Sequence, residues 1–218
     1  RQLPARRNES GDSGAQPGMI DRPDLLVVGA SFAGLACAQS AALRGLDTVV
    51  LDRKRDAGER PHTTGILVKE VADEWDVPQR LLRKIRRVRL YGPSLASVDL
   101  VRPGYAFYAT DTAELMRWWA DQARRAGARL RMDTPFRDAA RTPLGWEVGQ
   151  TETRFLVGAD GPRSRVAERL GLGRNEQFLR GVEAEIEGLE DFDPDCLHVF
   201  LDRAHAPGYI AWLVPGLG

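Results

Sequence analysis

The segment from residue 24 to residue 54 limits the fold of this chain more than any other, because it contains a strand, a tight turn and a helix start in order. Leu25 to Val28 is a short apolar run, as expected for a strand buried on both faces of a parallel sheet. Gly29, Ser31 and Gly34 follow at the three positions of a G-x-G-x-x-G turn. The pattern predicts the first half of a nucleotide-binding βαβ unit.

The next residues complete this unit. A helix is predicted from Ala33 to Arg44, ended by Gly45, and a second buried strand is predicted from Thr48 to Leu51. Asp52 comes directly after that strand, close to the roughly 20-residue distance from the first glycine at which a ribose-binding carboxylate is expected. The combination favours a nucleotide cofactor; the alternative is a tight turn without a ligand.

Each position of the turn has a physical role in this prediction. Gly29 lets the chain turn sharply off the strand, and Gly34 lets the helix pack closely on the sheet. The backbone N–H groups around Phe32, Ala33 and Gly34 would face a diphosphate, which the helix dipole also favours. Ser31 replaces the usual middle glycine, and because its side chain is small we expect weakened but retained binding.

A second turn resembles the first. The strand predicted from Thr153 to Val157 continues into a Gly-Ala-Asp-Gly sequence and then a short helix that ends at Gly171. Asp160 and Gly161 therefore lie at the carboxyl end of a strand, where open α/β sheets bind ligands. Asp160 is a candidate second contact to the same cofactor, and a purely structural aspartate is the alternative.

The remaining pattern predicts three further helices and a series of strands. The helices cover Val68 to Trp75, Pro78 to Arg86 and a longer run from Thr110 that Gly127 stops, with Thr110 or Thr112 as its cap. The apolar stripe of the longer helix is expected to be core: Leu115, Met116, Trp119 and Ala123. The predicted strands are Val88–Tyr91, Ser97–Val101, Tyr105–Tyr108, Arg129–Met132, Trp146–Gln150, Val182–Ile186, Leu197–Leu201 and Tyr209–Val214.

Composition excludes several functional classes. Basic and acidic residues number 31 each, so no net charge draws the chain to nucleic acid or to an anionic membrane. Cys37 and Cys196 give neither a disulfide framework nor a metal-ligand spacing, which favours a reducing cytoplasm. No apolar run approaches the 18 or so residues of a membrane span. Residues 1–23 are expected to be a disordered leader without a signal peptide.

Three stretches carry a resemblance to a known family. GASFAGL from Gly29, Asp52 and GADGPRSRV from Gly158 resemble the first two FAD motifs of the glutathione-reductase-type flavoproteins. Their order and spacing are similar to the branch that holds aromatic-ring monooxygenases, flavin-dependent halogenases, lycopene cyclases and geranylgeranyl reductases. The resemblance implies FAD as cofactor, NAD(P)H as reductant, and these contacts: Gly29, Ser31, Phe32, Ala33, Gly34, Asp52, Arg53, Arg60, Asp160 and Gly161.

A further stretch narrows the resemblance. PGYIAWLVPG, from Pro207 to Gly216, resembles the tyrosine–tryptophan–proline signature of geranylgeranyl-reductase-like proteins, which implies that Tyr209 and Trp212 line an isoprenoid pocket. Several features depart from that group, among them the absence of the arginine usual just before the long middle helix, where Thr110 and Asp111 stand. Thr63 and Thr64 stand where a cysteine is common, and the tyrosine and tryptophan are one residue further apart than usual.

The resemblance implies an α/β fold. A Rossmann-like FAD-binding domain is expected at residues 24–175, followed by the start of a β-rich substrate domain at residues 176–218. The third FAD motif of the family has no counterpart, so the chain is expected to be a C-terminally truncated member.

The function expected from this resemblance is an FAD-dependent oxidoreductase that reduces an apolar alkene with NAD(P)H or a similar donor. The alternatives are an aromatic-ring hydroxylase or halogenase, and a truncated FAD-binding fragment without turnover. A plain NAD-dependent dehydrogenase is disfavoured by the long insertion between Asp52 and Gly158. The expected partner is a small apolar molecule, with peripheral membrane contact left open, no nucleic acid and no predicted oligomeric state. No side chain stands out as an acid, base or nucleophile.

Overall fold

The structure, a computed structural model, describes residues 20–190 and 192–217. Its first βαβ unit follows the predicted order: β1 (Leu25–Val28), α1 (Phe32–Leu43) and β2 (Thr48–Leu51). Most of the predicted leader, residues 1–19, lies outside the described residues. Gly45 has a φ of +84°, so it ends the helix in the left-handed conformation that glycine allows.

The first sheet is parallel throughout and has the strand order β12–β1–β2–β8, with β8 at Arg129–Arg131 and β12 at Phe155–Gly158. Alternate residues of β1 and β2 enter two different cores. Leu25 and Val27 pack towards α1, whereas Leu26 and Val28 pack on the opposite face with Phe136. The two central strands are therefore buried on both sides, as their continuous apolar runs predicted.

The edge strand differs from the prediction. The segment predicted as one buried strand from Thr153 to Val157 is divided between β11 (Thr151–Thr153) and β12. Phe155 is 47% exposed because β12 has a neighbour on one side only. β11 instead pairs with β10 (Gly145–Val148), which also pairs with the unpredicted β9 (Ala140–Thr142).

Helix α3 (Thr112–Arg125) covers one face of the parallel sheet and packs on α1. Its predicted apolar stripe is confirmed as core, since those four side chains are at most 3% exposed. Its predicted cap is wrong. Asp111 is the N-cap and accepts a hydrogen bond from the N–H of Glu114 at 3.0 Å, whereas the hydroxyls of Thr110 and Thr112 bond to each other.

A second sheet, antiparallel, has the order β3–β7–β4, with strands at Ile66–Val68, Phe107–Thr110 and Leu82–Ile85. Helix α2 (Lys69–Glu74) follows β3, close to its predicted position. The helix predicted from Pro78 to Arg86 is wrong, since a single 3₁₀ turn at Gln79–Leu81 leads straight into β4. Pairing with β7 and burial of Ile85 outweigh the helix propensity of this short segment.

The third sheet has the order β14–β13–β5–β6, with strands at Ala211–Leu213, Cys196–Phe200, Arg87–Tyr91 and Ser97–Val101. In this sheet β5 and β6, from the middle of the chain, lie beside β13 and β14, from the C-terminal part of the chain. The strand predicted at Val182–Ile186 is wrong. Residues 172–189 form no helix or strand, and Val182 is 95% exposed because no neighbouring strand pairs with it. The α/β class with a parallel sheet and a β-rich part is confirmed.

Candidate cofactor site

The candidate site lies at the carboxyl end of β1, the point in the parallel sheet at which the strand order reverses. The chain leaves β1 towards β2 on one side, while β12 lies on the other side of β1. In open α/β sheets, the crevice at the carboxyl ends of such strands is where ligands bind. The turns that follow β1 and β12 both lie there, because the N–H of Ala159 donates to the carbonyl of Val28 at 2.8 Å.

Two glycines allow close backbone approaches, Gly29 between the two turns and Gly34 within the first turn. Gly29 has a φ of +111°, and a Cβ atom added to it would lie 2.2 Å from the carbonyl oxygen of Ala159. A Cβ atom on Gly34 would lie 1.8 Å from the carbonyl oxygen of Gly29. Both positions therefore exclude any side chain. The predicted sharp turn and close helix packing are confirmed, although what a side chain at Gly29 would meet first is the second turn.

The N-terminus of α1 is open. Ser31 is its N-cap residue, yet the serine hydroxyl accepts no backbone N–H, and the first turn contains no acidic residue. The N–H groups of Phe32, Ala33 and Gly34 make no hydrogen bond within the described part of the chain. Uncapped N–H groups at the positive end of a twelve-residue helix are suited to an anion such as a diphosphate.

The serine at the middle position fits the turn without strain. Ser31 has φ −122° and ψ −169°, which is extended backbone that any residue adopts. Its side chain is exposed, and its oxygen lies 3.9 Å from the sulfur of Met116. A glycine is therefore not required at this position for conformational reasons.

Asp52 contacts the first turn directly. One of its carboxylate oxygens accepts the N–H of Ala30 at 2.6 Å, and the other accepts the N–H of Lys54 at 2.8 Å. A carboxylate offers about four acceptor positions, so two remain for ribose hydroxyl groups. The expected ribose contact stays a prediction, while the hydrogen bond to Ala30 is a contact that the sequence did not indicate.

Lys54, which the sequence prediction did not include, also contacts this turn. Its ammonium donates to the carbonyl of Ala30 at 3.3 Å and to that of Ala57 at 3.0 Å. Arg53, which was predicted, is exposed. The bond from the Lys54 N–H to Asp52 forms an Asx turn, and an aspartate directly after a strand is a sequence signal for that turn.

The second turn is closed by its own residues. One oxygen of Asp160 accepts from the Ser164 hydroxyl at 2.5 Å, and the other accepts from the N–H groups of Arg165 and Val166 at 2.7 and 3.2 Å. Ser164 in turn caps the short helix α4 (Arg165–Arg169) by accepting from the N–H of Ala167 at 2.9 Å. Gly161 has a φ of +90° and open space around it. Asp160 lies where the sequence predicted, and its carboxylate stabilises the start of this helix.

Of the other predicted contacts, Phe32 offers only its backbone to the site. Its ring packs against Trp75 and Trp119, with centroids 6.1 and 5.6 Å away. Ala33 is exposed beside it. Arg60 is exposed and has a φ of +45°, and its guanidinium contacts no hydrogen-bonding partner within residues 20–190 and 192–217.

Tyr209 and Trp212 lie in the third sheet region, not in the two turns. Their rings meet edge to face with centroids 6.2 Å apart. Tyr209 is 58% exposed, while Trp212 packs against the buried cluster that includes Leu197 and Val199. The structure therefore brings the predicted glycines and aspartates together and keeps the aromatic pair apart from them. Among the described residues, no helix has both the length and the apolar character needed to cross a bilayer.

Comparison with known proteins identifies the class. Residues 22–212 match the family model described as FAD binding domain, so the chain belongs to that family. The chain is 29% identical to digeranylgeranylglycerophospholipid reductase 1 of Methanothermobacter thermautotrophicus, covering 90% of this chain and 54% of that protein. It is 27% identical to the chloroplastic geranylgeranyl diphosphate reductase of Oryza sativa subsp. japonica, covering 88% of this chain and 46% of that protein.

Solved structures agree on the fold. A geranylgeranyl bacteriochlorophyll reductase-like protein from Thermoplasma acidophilum superposes with a TM-score of 0.73 at 21% identity, over 91% of this chain and 54% of that chain. The halogenase PltM in complex with phloroglucinol and FAD gives 0.57 at 14% identity, over 71% of this chain and 37% of that chain. The chain spans about half the length of the curated relatives it matches.

Proposed function

We propose that this chain is the FAD-binding part of a reductase that hydrogenates carbon–carbon double bonds of a geranylgeranyl group. The observation that carries the proposal is the open, glycine-lined turn at Gly29 to Gly34 in a chain that belongs to an FAD-binding family. Relatives named as geranylgeranyl and digeranylgeranylglycerophospholipid reductases support the substrate class.

The residues of the two turns would divide the binding of FAD between them. The N–H groups at the start of α1 would bind the diphosphate, and Asp52 would accept hydrogen bonds from the adenosine ribose. Asp160 and Gly161 would lie along the ribitol side, and Arg53 and Arg60 would approach the cofactor from the loop that follows β2. FAD, when bound, supplies the hydride chemistry that the protein side chains lack.

The third sheet would carry the substrate side of the site. Tyr209 and Trp212 combine flat apolar rings with polar edges, which suits contact with a prenyl chain that ends in a polar group. The residues from 176 onwards would form the start of this substrate domain, and residues 24–175 the FAD domain. Two strands of the third sheet, β5 and β6, come from within residues 24–175, so the two parts would share this sheet.

The electron donor and the compartment belong to the same proposal. NAD(P)H is the donor we propose, since the resemblance implies a pyridine nucleotide as reductant. The two cysteines are unpaired, which fits a reducing cytoplasm. A prenylated lipid substrate would bring the protein to a membrane surface by peripheral contact.

The first experiment is an absorbance spectrum of the purified chain with and without added FAD. We expect flavin bands that shift relative to free FAD, and bleaching of these bands on anaerobic addition of NADPH or NADH. A chain that binds no FAD would contradict the cofactor assignment. FAD binding without bleaching would contradict NAD(P)H as donor.

A second experiment tests the reaction. The reduced protein is incubated with a geranylgeranyl phospholipid, and the product is analysed by mass spectrometry. Gain of two hydrogen atoms per double bond supports the reductase. In a parallel incubation in air with chloride, gain of an oxygen atom or a halogen would support the monooxygenase or halogenase alternative, and FAD binding without any product would support a fragment that binds but does not turn over.

A further inference from the structure

We infer that Lys54 is a positioning residue, which together with Asp52 clamps the first turn in the shape that receives the diphosphate of the cofactor. The identity of the ligand rests on the proposed function, whereas the clamp itself is a property of the protein. Lys54 is not among the site residues predicted from the sequence, and its role follows from the hydrogen bonds of a single residue, Ala30.

Ala30 is held from both sides. Its N–H donates to Asp52 at 2.6 Å, and its carbonyl accepts from the ammonium of Lys54 at 3.3 Å. Ala30 is fully buried, so water does not compete for these groups. Two consecutive peptide planes, one on each side of this Cα atom, are therefore fixed by side chains that both follow β2.

The second of these planes connects the clamp to the ligand. In a trans peptide, the carbonyl of one residue and the N–H of the next point in opposite directions. The described chain contains no cis peptide bond, so the Ala30 carbonyl that faces Lys54 makes the N–H of Ser31 point away from it. That N–H bonds to no described residue, as is also true of the next three N–H groups of α1. Lys54 thus orients a donor that adjoins the open helix terminus.

Lys54 has further features that suit a positioning role. The same ammonium donates to the carbonyl of Ala57, which ties the loop leading to Arg60 onto the turn. Within residues 20–190 and 192–217, Lys54 forms no ion pair, and an ammonium has a third hydrogen available. Its backbone N–H also holds Asp52. Lys54 therefore holds the Ala30 carbonyl through its ammonium and holds Asp52, the acceptor of the Ala30 N–H, through its backbone.

The test compares Lys54→Met with Arg55→Met. Methionine keeps the length of the lysine stem and loses the ammonium, and Arg55 is an exposed neighbour whose loss removes the same charge from the same loop. Amide hydrogen exchange is measured on the chain without cofactor and is read at Gly29 and Ala30, whose N–H groups donate to Leu51 and Asp52, because the next four N–H groups of the turn form no hydrogen bond within the described part of the chain and so have none to lose. We expect exchange of this turn to become about tenfold faster or more in Lys54→Met, as loss of a charged hydrogen bond implies, and to be unchanged in Arg55→Met.

A second measurement is the dissociation constant for FAD and for ADP, which share a diphosphate. We expect both constants to rise by about tenfold or more in Lys54→Met and to stay at the wild-type value in Arg55→Met. If Lys54→Met does not fold, Lys54→Gln, which is shorter and uncharged but polar, replaces it.

The outcomes separate this inference from the proposed function. Unchanged exchange in Lys54→Met overturns the clamp, whatever the affinity for FAD. Weaker binding with unchanged exchange also overturns it, because Lys54 would then act as a charge only. Faster exchange in Lys54→Met supports the clamp even if the wild-type chain binds no FAD, an outcome that would contradict the proposed function alone.

Discussion

The turns after β1 and β12 touch each other, yet they are stabilised in opposite ways. The second turn uses residues within it: Asp160 and Ser164 accept the first N–H groups of α4. The first turn leaves the N–H groups of α1 open and is held by Asp52 and Lys54, which follow the next strand. A helix terminus that caps itself has little left to offer a ligand, whereas one held from outside keeps its donors available.

The largest effect is expected where helix α1 packs closely on the first turn. Gly34→Ala should lower the free energy of unfolding by about 3 kcal/mol or more, because the added Cβ would collide with the Gly29 carbonyl. Chemical denaturation measures this loss. Gly173→Ala, at a position with open space around it, is the control and should be close to wild type. Equal stability of the two variants would show that the first turn does not depend on this close approach.

The next effect concerns the external support of the first turn. Asp52→Ala should weaken FAD binding by about 1.5–3 kcal/mol, because a charged acceptor for the turn and for the ribose is lost. Titration by flavin fluorescence measures it. The exposed Asp138, changed to alanine, is the matched control. An unchanged affinity in Asp52→Ala would remove this residue from the site.

A substitution in the second turn should lower the stability of the fold, whether or not it also affects cofactor binding. Asp160→Ala should lower the free energy of unfolding by about 1–2 kcal/mol, as loss of a helix cap does. If Asp160 also contacts the cofactor, as we propose, FAD affinity falls in this variant and stays near wild type in Ser164→Ala. Equal affinities in both variants would restrict Asp160 to its capping role.

A pair of serines gives a smaller difference. Ser164→Ala should lower the free energy of unfolding by about 1 kcal/mol, since its hydroxyl caps α4. Ser31→Ala should change it by less than about 0.5 kcal/mol, since the Ser31 hydroxyl caps nothing. Thermal or chemical unfolding of both variants checks the pair. A larger loss for Ser31→Ala would reverse the comparison between the turns.

The smallest effect is expected in the third sheet, outside both turns. It tests whether the effects of the turn variants are confined to the turns. Burial, together with Arg89 and Arg87, lowers the pKa of His198 below its ordinary value, although Asp99 opposes them. The folded protein then binds fewer protons than the unfolded chain, so stability falls as the pH drops below about 6.5, the ordinary histidine range. Nδ1 of this ring lies 2.9 Å from the Tyr91 hydroxyl.

Stability measured from pH 8 to pH 5 should therefore decline less in His198→Gln than in the wild type. His62→Gln, a change at an exposed histidine, should retain the wild-type slope. FAD affinity at neutral pH should not change in either variant. A shift in affinity for His198→Gln would mean that the third sheet and the turns are coupled.

The parts of the fold that the sequence predicted well are those with a local pattern. The bounds of β1 and β2 agree with the structure, because continuous apolar runs between turn residues have few alternatives. The failures occur where pairing decided the outcome. Leu82–Ile85 became a strand because β7 pairs with it, and Val182–Ile186 did not become one because no neighbouring strand pairs with it.

The same division holds in the candidate site. The glycine spacing indicated Gly29 and Gly34, and the spacing of the acid indicated Asp52. The sequence prediction included Arg53 and left out Lys54. Which of these two adjacent basic side chains contacts the first turn depends on the Asx turn at Asp52, and that turn is visible only in the structure. For Asp160 the sequence left a structural role as the alternative to a cofactor contact, and only the tertiary structure shows that its carboxylate accepts the first N–H groups of α4.

By itself the sequence indicated the class of this protein: a strand, a glycine turn, a helix and an acid in a fixed order predict a nucleotide-binding unit, and the chain belongs to an FAD-binding family. Those features depend on residues that are neighbours in the chain. The tertiary structure decided how the turn is held, because the contacts of Gly29 with Ala159 and of Ala30 with Asp52 and Lys54 exist only once β12, β1 and β2 lie side by side. Strand order is a property of the whole sheet, and no local pattern encodes it.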